Sequence, residues 1–268
     1  MNKPKLHVVS FSGGKDSTAM LLRMLEEGMS VDLILYCETG LEFPEMGAHI
    51  RKVEEYIGRK ITVIKSEKNF MYLATKKPIV SRGTINVSGI NPGDIIYGYG
   101  WPSARVRWCT SYLKTDVINR YLKNIGENYD VIQYVGIAAD ELKRVRADKR
   151  YPLIDWGMTE KDCLQYCYDR GLDFGGLYEI WDRVSCWCCP LQSLDDLKKL
   201  KNYKPDLWFK LKEINEAMSV TIRPNFRYDV GLTDIDRRFK VEDEFIAKGK
   251  KIRTKEFYQT LKDRGINY

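Results

Sequence analysis

Two clusters in this chain have the residue types and spacing to do chemistry. The first is Ser12-Gly13-Gly14-Lys15-Asp16-Ser17. Adjacent glycines let a backbone approach an anion closely. Lys15 adds a mobile cation, and Ser12 and Ser17 add hydroxyl donors. Asp16 is out of place beside phosphates unless a divalent cation sits between them. The second cluster is Ser185-Cys186-Trp187-Cys188-Cys189-Pro190. Cys186 and Cys189 have the C-x-x-C spacing that lets two thiolates reach one metal from a tight turn, and Cys188 adds a third sulfur.

The elements around the glycine pair are those an anion site needs. Residues 6–11 are an apolar run that reads as a buried strand, and residues 18–25 carry apolar side chains at helical spacing. Amides at the start of that helix, with the positive end of its dipole, attract negative charge. The spacing is not that of the common phosphate loop, since one residue precedes the glycine pair and an acid follows the lysine. Further strands are predicted over 31–36, 61–64 and 131–137, and Pro44 opens a helix running to about Gly58. Such alternation predicts an α/β fold with a doubly wound, mostly parallel sheet and helices on both faces. Ligands in these sheets sit beyond the carboxyl ends of the strands, where the Gly-Gly-Lys-Asp turn falls. Between 78 and 103, Gly83, Gly89, Gly93, Gly98 and Gly100 are spread among Ile, Tyr and Trp, which suits a β-hairpin, a lid or a long surface loop. Helices are expected after Thr159, after Ser193, from Pro205 to about Met218, and from Thr254. Cys163 and Cys167, four apart on one helix face, read as small core residues.

The 268 residues suffice for one large domain with an appendage, expected here as 1–200 and a helical extension over 201–268. Hydrophobic content of 44% supports a real core. No apolar stretch reaches about 18 residues, so no membrane span is expected, and the N-terminus has no signal pattern. A cytoplasmic location is the expectation, where seven cysteines suit metal or redox chemistry better than disulfides. The 44 Lys and Arg exceed the 37 Asp and Glu, and a net charge of +7 fits an anionic partner such as a nucleotide or a nucleic acid. Beyond residue 200 basic and aromatic residues alternate, which suits either a tRNA or DNA docking face or a solvated exterior.

S-G-G-K-D-S after a strand resembles the pyrophosphate loop of the N-type ATP pyrophosphatases, or adenine nucleotide alpha hydrolases. Four further segments resemble the phosphoadenylylsulfate (PAPS) reductase branch of that superfamily. Glu38-Thr39-Gly40-Leu41-Glu42-Phe43-Pro44-Glu45 is similar to its D-T-G-x-x-F-P-E-T turn, which lies against the nucleotide. Arg107-Trp108-Cys109-Thr110 through Lys114 is similar to its R-W-C-T-x-x-L-K segment, which makes Arg107 and Lys114 candidate anion contacts. Gly136 and Glu141 match its G-x-R-x-x-E-S pattern, but Ala138 stands where the reductases carry a sulfonucleotide-binding arginine. Arg144 is the nearby basic candidate. Residues 151–156 are similar to its P-L-x-D-W segment. The resemblance implies Mg²⁺·ATP on residues 12–17, with Lys15 and Asp16 in catalytic roles.

The same resemblance bears on the cysteines. Iron–sulfur adenylylsulfate reductases carry cluster cysteines where Cys109 falls and supply two more from a later C-x-x-C. It implies that Cys109, Cys186 and Cys189 converge on one centre, with Cys188 or an outside ligand as the fourth. An iron–sulfur cluster and Zn²⁺ both suit such a set. After Cys189 the sequence has no cysteine, whereas the reductases attack their substrate with a cysteine of the C-terminal tail. The expected activity is therefore adenylation of a substrate for sulfur transfer, onto nucleic acid or a small molecule, from a donor such as a cysteine desulfurase. PAPS or adenylylsulfate reduction and a non-catalytic nucleotide-binding subunit are the alternatives.

Overall fold

The computed structural model describes residues 3–82, 90–219, 221–227 and 229–268. Six strands form in chain order: β1 (Lys5–Phe11), β2 (Leu33–Glu38), β3 (Thr62–Lys65), β4 (Pro78–Val80), β5 (Ile95–Tyr97) and β6 (Asp130–Val135). By its contacts the chain divides into two compact units, each made of two stretches. The first is Met1–Glu67 with Thr110–Trp187, the second Lys68–Cys109 with Cys188–Tyr268.

The first unit holds a four-stranded sheet in the order β3-β2-β1-β6, with every neighbouring pair parallel. The α/β expectation therefore holds. The order reverses between β1 and β6, so the turns that leave these two strands flank the topological switch point. One such turn is residues 12–14. It feeds helix α1 (Lys15–Glu26), whose Ala19, Met20, Leu21, Leu22 and Met24 are almost wholly buried. Helix α2 (Pro44–Ile57) starts on Pro44, whose missing N–H costs nothing in a first turn. Cys163 and Cys167 are core residues, as expected, on helix Glu160–Tyr168. Thr159 caps that helix in a reciprocal capping box with Asp162.

A histidine links α1 and α2 in this core. His49 is 2% exposed, stacks on Phe174 at 4.1 Å and meets the Thr18 hydroxyl through Nε2 at 3.2 Å. Its Nδ1 is buried without a hydrogen-bond partner. Burial holds the imidazole down at about 4, with the Asp173 charge opposing and the Lys52 charge assisting. The folded value lies below the ordinary histidine value, so protons favour the unfolded chain as pH falls through the window from about 6.5 to about 4. Unfolding at pH 7 and pH 5 is expected to show a loss of about 2 kcal/mol from this group. His49→Gln is expected to remove that part of the pH dependence.

The second unit contains the antiparallel pair β4–β5, so of the three readings the described part of 78–103 takes the hairpin form. Gly83 and Gly89 of that stretch lie outside the described residues. Trp101 anchors this unit, 1% exposed, with ring centroids 4.8 Å from Phe226 and its indole N–H donating to Asn215 Oδ1 at 3.2 Å. Helices Leu194–Tyr203 and Pro205–Met218 follow the expected starts at Ser193 and Pro205. Helix Lys255–Asp263 starts at its Thr254 cap. Helix Leu232–Ala247, which the sequence reading missed, buries Arg238 and Glu242 as an ion pair at 3.0 Å. No helix among the described residues is long and apolar enough to cross a membrane.

Candidate functional site

The site is built on the loop between β1 and α1. Gly13 has φ +79°, a left-handed conformation that glycine adopts without steric cost. The turn is closed from inside: the Ser17 hydroxyl donates to the Gly14 carbonyl at 3.0 Å and accepts the Ser12 amide at 3.1 Å. The two serine oxygens lie 2.9 Å apart. These contacts hold the turn's shape at the start of α1.

Gly136, at the end of β6, shows why a glycine is needed there. A Cβ on it would stand 2.8 Å from the Ser17 backbone. Its role is close packing of β6 on the loop, not contact with a ligand through a side chain. Gly136→Ala is expected to push the loop off the sheet, lowering stability by at least about 1 kcal/mol and weakening nucleotide binding with it. Thermal unfolding with and without ATP measures both.

Lys15 is almost buried, at 6% exposure. Its Nζ lies 2.6 Å from Glu160 Oε2 and 3.3 Å from Asp16 Oδ1. Burial works against the ammonium, but the Glu160 hydrogen bond and the Asp16 charge outweigh it and hold the group above the ordinary lysine value. Burial pushes the Asp16 carboxyl up; Lys15 opposes this, and the Glu160 and Glu141 charges reinforce it. Asp16 Oδ1 is buried and accepts no hydrogen bond. The Lys15 backbone N–H donates to the Tyr178 phenol oxygen at 3.1 Å. Burial keeps that phenol neutral, up at about 12, with the Lys15 amide opposing. Tyr178 is placed by a turn in which Phe174, Gly175 and Gly176 all have positive φ, a conformation that costs a phenylalanine of order 1 kcal/mol or more. Phe174 is fully buried between the His49 and Tyr178 rings, which holds it there.

The other candidates of this unit fall at the same edge of the sheet or on the next turn. Glu141 follows β6, pairs with Arg144 and acts on Asp16 by its charge. Ala138, in the reductases' arginine position, is fully buried. Glu38 ends β2, exposed. After it the amides of Thr39, Gly40 and Leu41 all donate to the Glu42 carboxylate, at 3.3, 3.0 and 3.1 Å. Lys114 sits in the helical stretch Ser111–Thr115, where its carbonyl and that of Leu113 face the Cys37 thiol. Arg107 belongs to the second unit and is exposed.

Glu160, Asp140 and Tyr178 escaped the sequence reading. The Thr159 cap pointed to a helix start but not to what its first residue would reach. Glu160 meets Lys15 across 145 residues of sequence, and its amide is held by Asp140 Oδ1 at 3.2 Å.

Among the described residues no group of three or more His, Cys, Asp or Glu side chains is placed to hold a metal ion. Cys109, Cys188 and Cys189 belong to the second unit and Cys186 to the first. None of the four forms a disulfide, and Cys188 is buried, 2% exposed. Burial raises the Cys189 thiol and the Cys109 charge raises it further, with the Leu191 amide, Arg107 and Arg227 opposing.

A left-handed glycine turn, the start of helix α1 and a nearly buried lysine stand together at the carboxyl edge of the parallel sheet of an α/β fold. Residues 6–83 match the model of the phosphoadenosine phosphosulfate reductase domain. Among curated proteins it is similar to two uncharacterized proteins of Methanocaldococcus jannaschii. One is 27% identical over 77% of this chain, the other 24% identical over 76%. The chain spans 41% and 46% of their respective lengths. Among solved structures it is similar to the U34-tRNA thiolase NcsA from Methanococcus maripaludis, determined with its 4Fe-4S cluster. That match has 16% identity and a TM-score of 0.38, covering 82% of this chain and 74% of that one. So distant a likeness assigns no residue here.

Proposed function

We propose that this chain is an ATP pyrophosphatase-type enzyme that adenylates a substrate for sulfur transfer. The observation that carries the reading is the Ser12–Ser17 loop. Its left-handed Gly13 turn and the nearly buried Lys15 ammonium lie at the start of α1, beside the switch point of the sheet. The β- and γ-phosphates of ATP take the place where Glu160 now meets Lys15. The neutral Tyr178 phenol accepts the Lys15 amide and keeps a proton to donate to a phosphate oxygen. Mg²⁺ arriving with ATP needs one or two protein carboxylates beside the phosphates. Asp16, with a buried oxygen that accepts no hydrogen bond, fits that need. The ion would neutralise charge on the leaving pyrophosphate.

An oxygen of the substrate attacks the α-phosphorus, the bond from that phosphorus to the bridging oxygen breaks, and pyrophosphate leaves with the bonding pair. The chain supplies positioning and charge neutralisation, which suffice for an in-line displacement. A sulfur nucleophile from a donor then displaces AMP. Sulfonucleotide reduction is less well supported, because Ala138 cannot supply the guanidinium that binds a sulfonucleotide. Incubation with ATP, Mg²⁺ and candidate acceptors, following pyrophosphate and AMP, tests the proposal. Absence of both nucleotide binding and pyrophosphate release would refute it.

A further inference from the structure

The hairpin of the second unit has an outer face unlike that of an ordinary surface strand pair. In an antiparallel pair, directly opposed residues share a face, and so do residues two apart. Pro78 opposes Tyr97 and Val80 opposes Ile95, so these four side chains form one face. Ile79 and Ile96 lie on the other, where Ile96 is buried. The outer face is wholly apolar yet open: Val80 is 62% exposed, and Ile95 and Tyr97 are each 60% exposed. A solvated face of an antiparallel pair is normally polar, and a contiguous apolar patch marks a binding surface.

Charge decides what kind of partner fits. The second unit holds 24 Lys and Arg against 14 Asp and Glu, the first unit 20 against 23. The whole positive excess of the chain is thus in the unit that carries the hairpin. Within 68–109, six cations face a single acid, Asp94, and the exposed Lys76 and Arg82 flank strand β4. A polyanion whose apolar faces are open meets both conditions at once. Duplexes keep their bases stacked inside, whereas the unpaired bases of RNA loops splay out onto aromatic and apolar side chains.

We propose that the outer face of the β4–β5 hairpin docks an RNA loop, with Tyr97 stacking a base and Lys76 and Arg82 holding phosphates. This extends the proposed reaction by naming RNA as its acceptor class, and its test is separate from that reaction. The full chain is titrated against a labelled RNA stem-loop, the same sequence as DNA, and an unlooped RNA duplex, with ATP binding measured in parallel. The RNA stem-loop is expected to bind tightest. Tyr97→Ala is expected to weaken it about fivefold or more, and Tyr97→Phe to retain it. Arg82→Ala is expected to lower the slope of log affinity against log salt by roughly one. All three variants are expected to bind ATP as the parent does, which also shows that they fold. The proposal is overturned if the stem-loop does not bind, if DNA or the duplex binds as tightly, or if Tyr97→Ala leaves binding unchanged. It is also overturned if sedimentation shows that Tyr97→Ala instead abolishes self-association. Loss of RNA binding with ATP binding intact, or the reverse, tells the two readings apart.

Discussion

Lys15→Ala is expected to lower pyrophosphate release from ATP by about 100- to 1,000-fold. Removing one preorganised donor from a developing negative charge costs about 2.7–4 kcal/mol of barrier in a water-poor site. Lys15 meets the conditions for an effect of that size. It is 6% exposed, so its charge is poorly screened. It is also held by two carboxylates, so it is oriented before a ligand arrives. The substitution leaves Asp16 and Glu160 without their cation, and Asp16 is then expected to take up a proton more readily still. A steady-state assay of pyrophosphate, with calorimetric ATP binding beside it, separates lost affinity from lost turnover. Unchanged turnover in a folded Lys15→Ala protein would move the phosphates away from this loop.

The parts of this site that were legible in the sequence are those fixed within one turn of chain. Gly13 and Gly14 between an apolar run and a helical repeat dictate a strand, a tight turn and a helix whatever surrounds them. Thr159, Ser193 and Thr254 each accept the amide three residues ahead, and each caps the helix that its position predicts. What was illegible depends on chain crossings. Nothing near Glu160 in sequence says that it will meet Lys15, because their contact is made when helix Glu160–Tyr168 packs on α1. Gly136 matched a pattern, but its reason, a backbone approach that leaves no room for a Cβ, appears only with β6 beside the loop. For the cysteines, C-x-x-C spacing sets only the local proximity of Cys186 and Cys189, and a meeting with Cys109 is a long-range matter on which that spacing is silent.

Glu160→Gln is the variant that tests how the empty loop is held. Lys15 cannot serve Glu160 at 2.6 Å and a γ-phosphate in full at the same time, so binding ATP must break or stretch this ion pair. The pair then stabilises the empty protein by the same free energy that it subtracts from affinity. Glu160 itself is 37% exposed, so solvent screens the pair. Its value is set near 1–2 kcal/mol, well below that of a fully buried pair. The neutral amide keeps the side chain's shape and removes the charge. Two opposite effects are therefore expected from one substitution. The empty protein loses about 1–2 kcal/mol in denaturant unfolding, and ATP binds about 5- to 30-fold tighter. At saturating ATP the two proteins converge in stability, because the pair is absent from both. Removing a negative charge beside a polyphosphate acts in the same direction, so salt titration is needed to divide the gain. The pair energy persists at high salt, while the long-range part fades within about 10 Å of screening at 0.1 M. Weaker ATP binding by Glu160→Gln would mean instead that this carboxylate helps to hold the nucleotide and its cation, and Lys15 would no longer be its principal partner in the bound state.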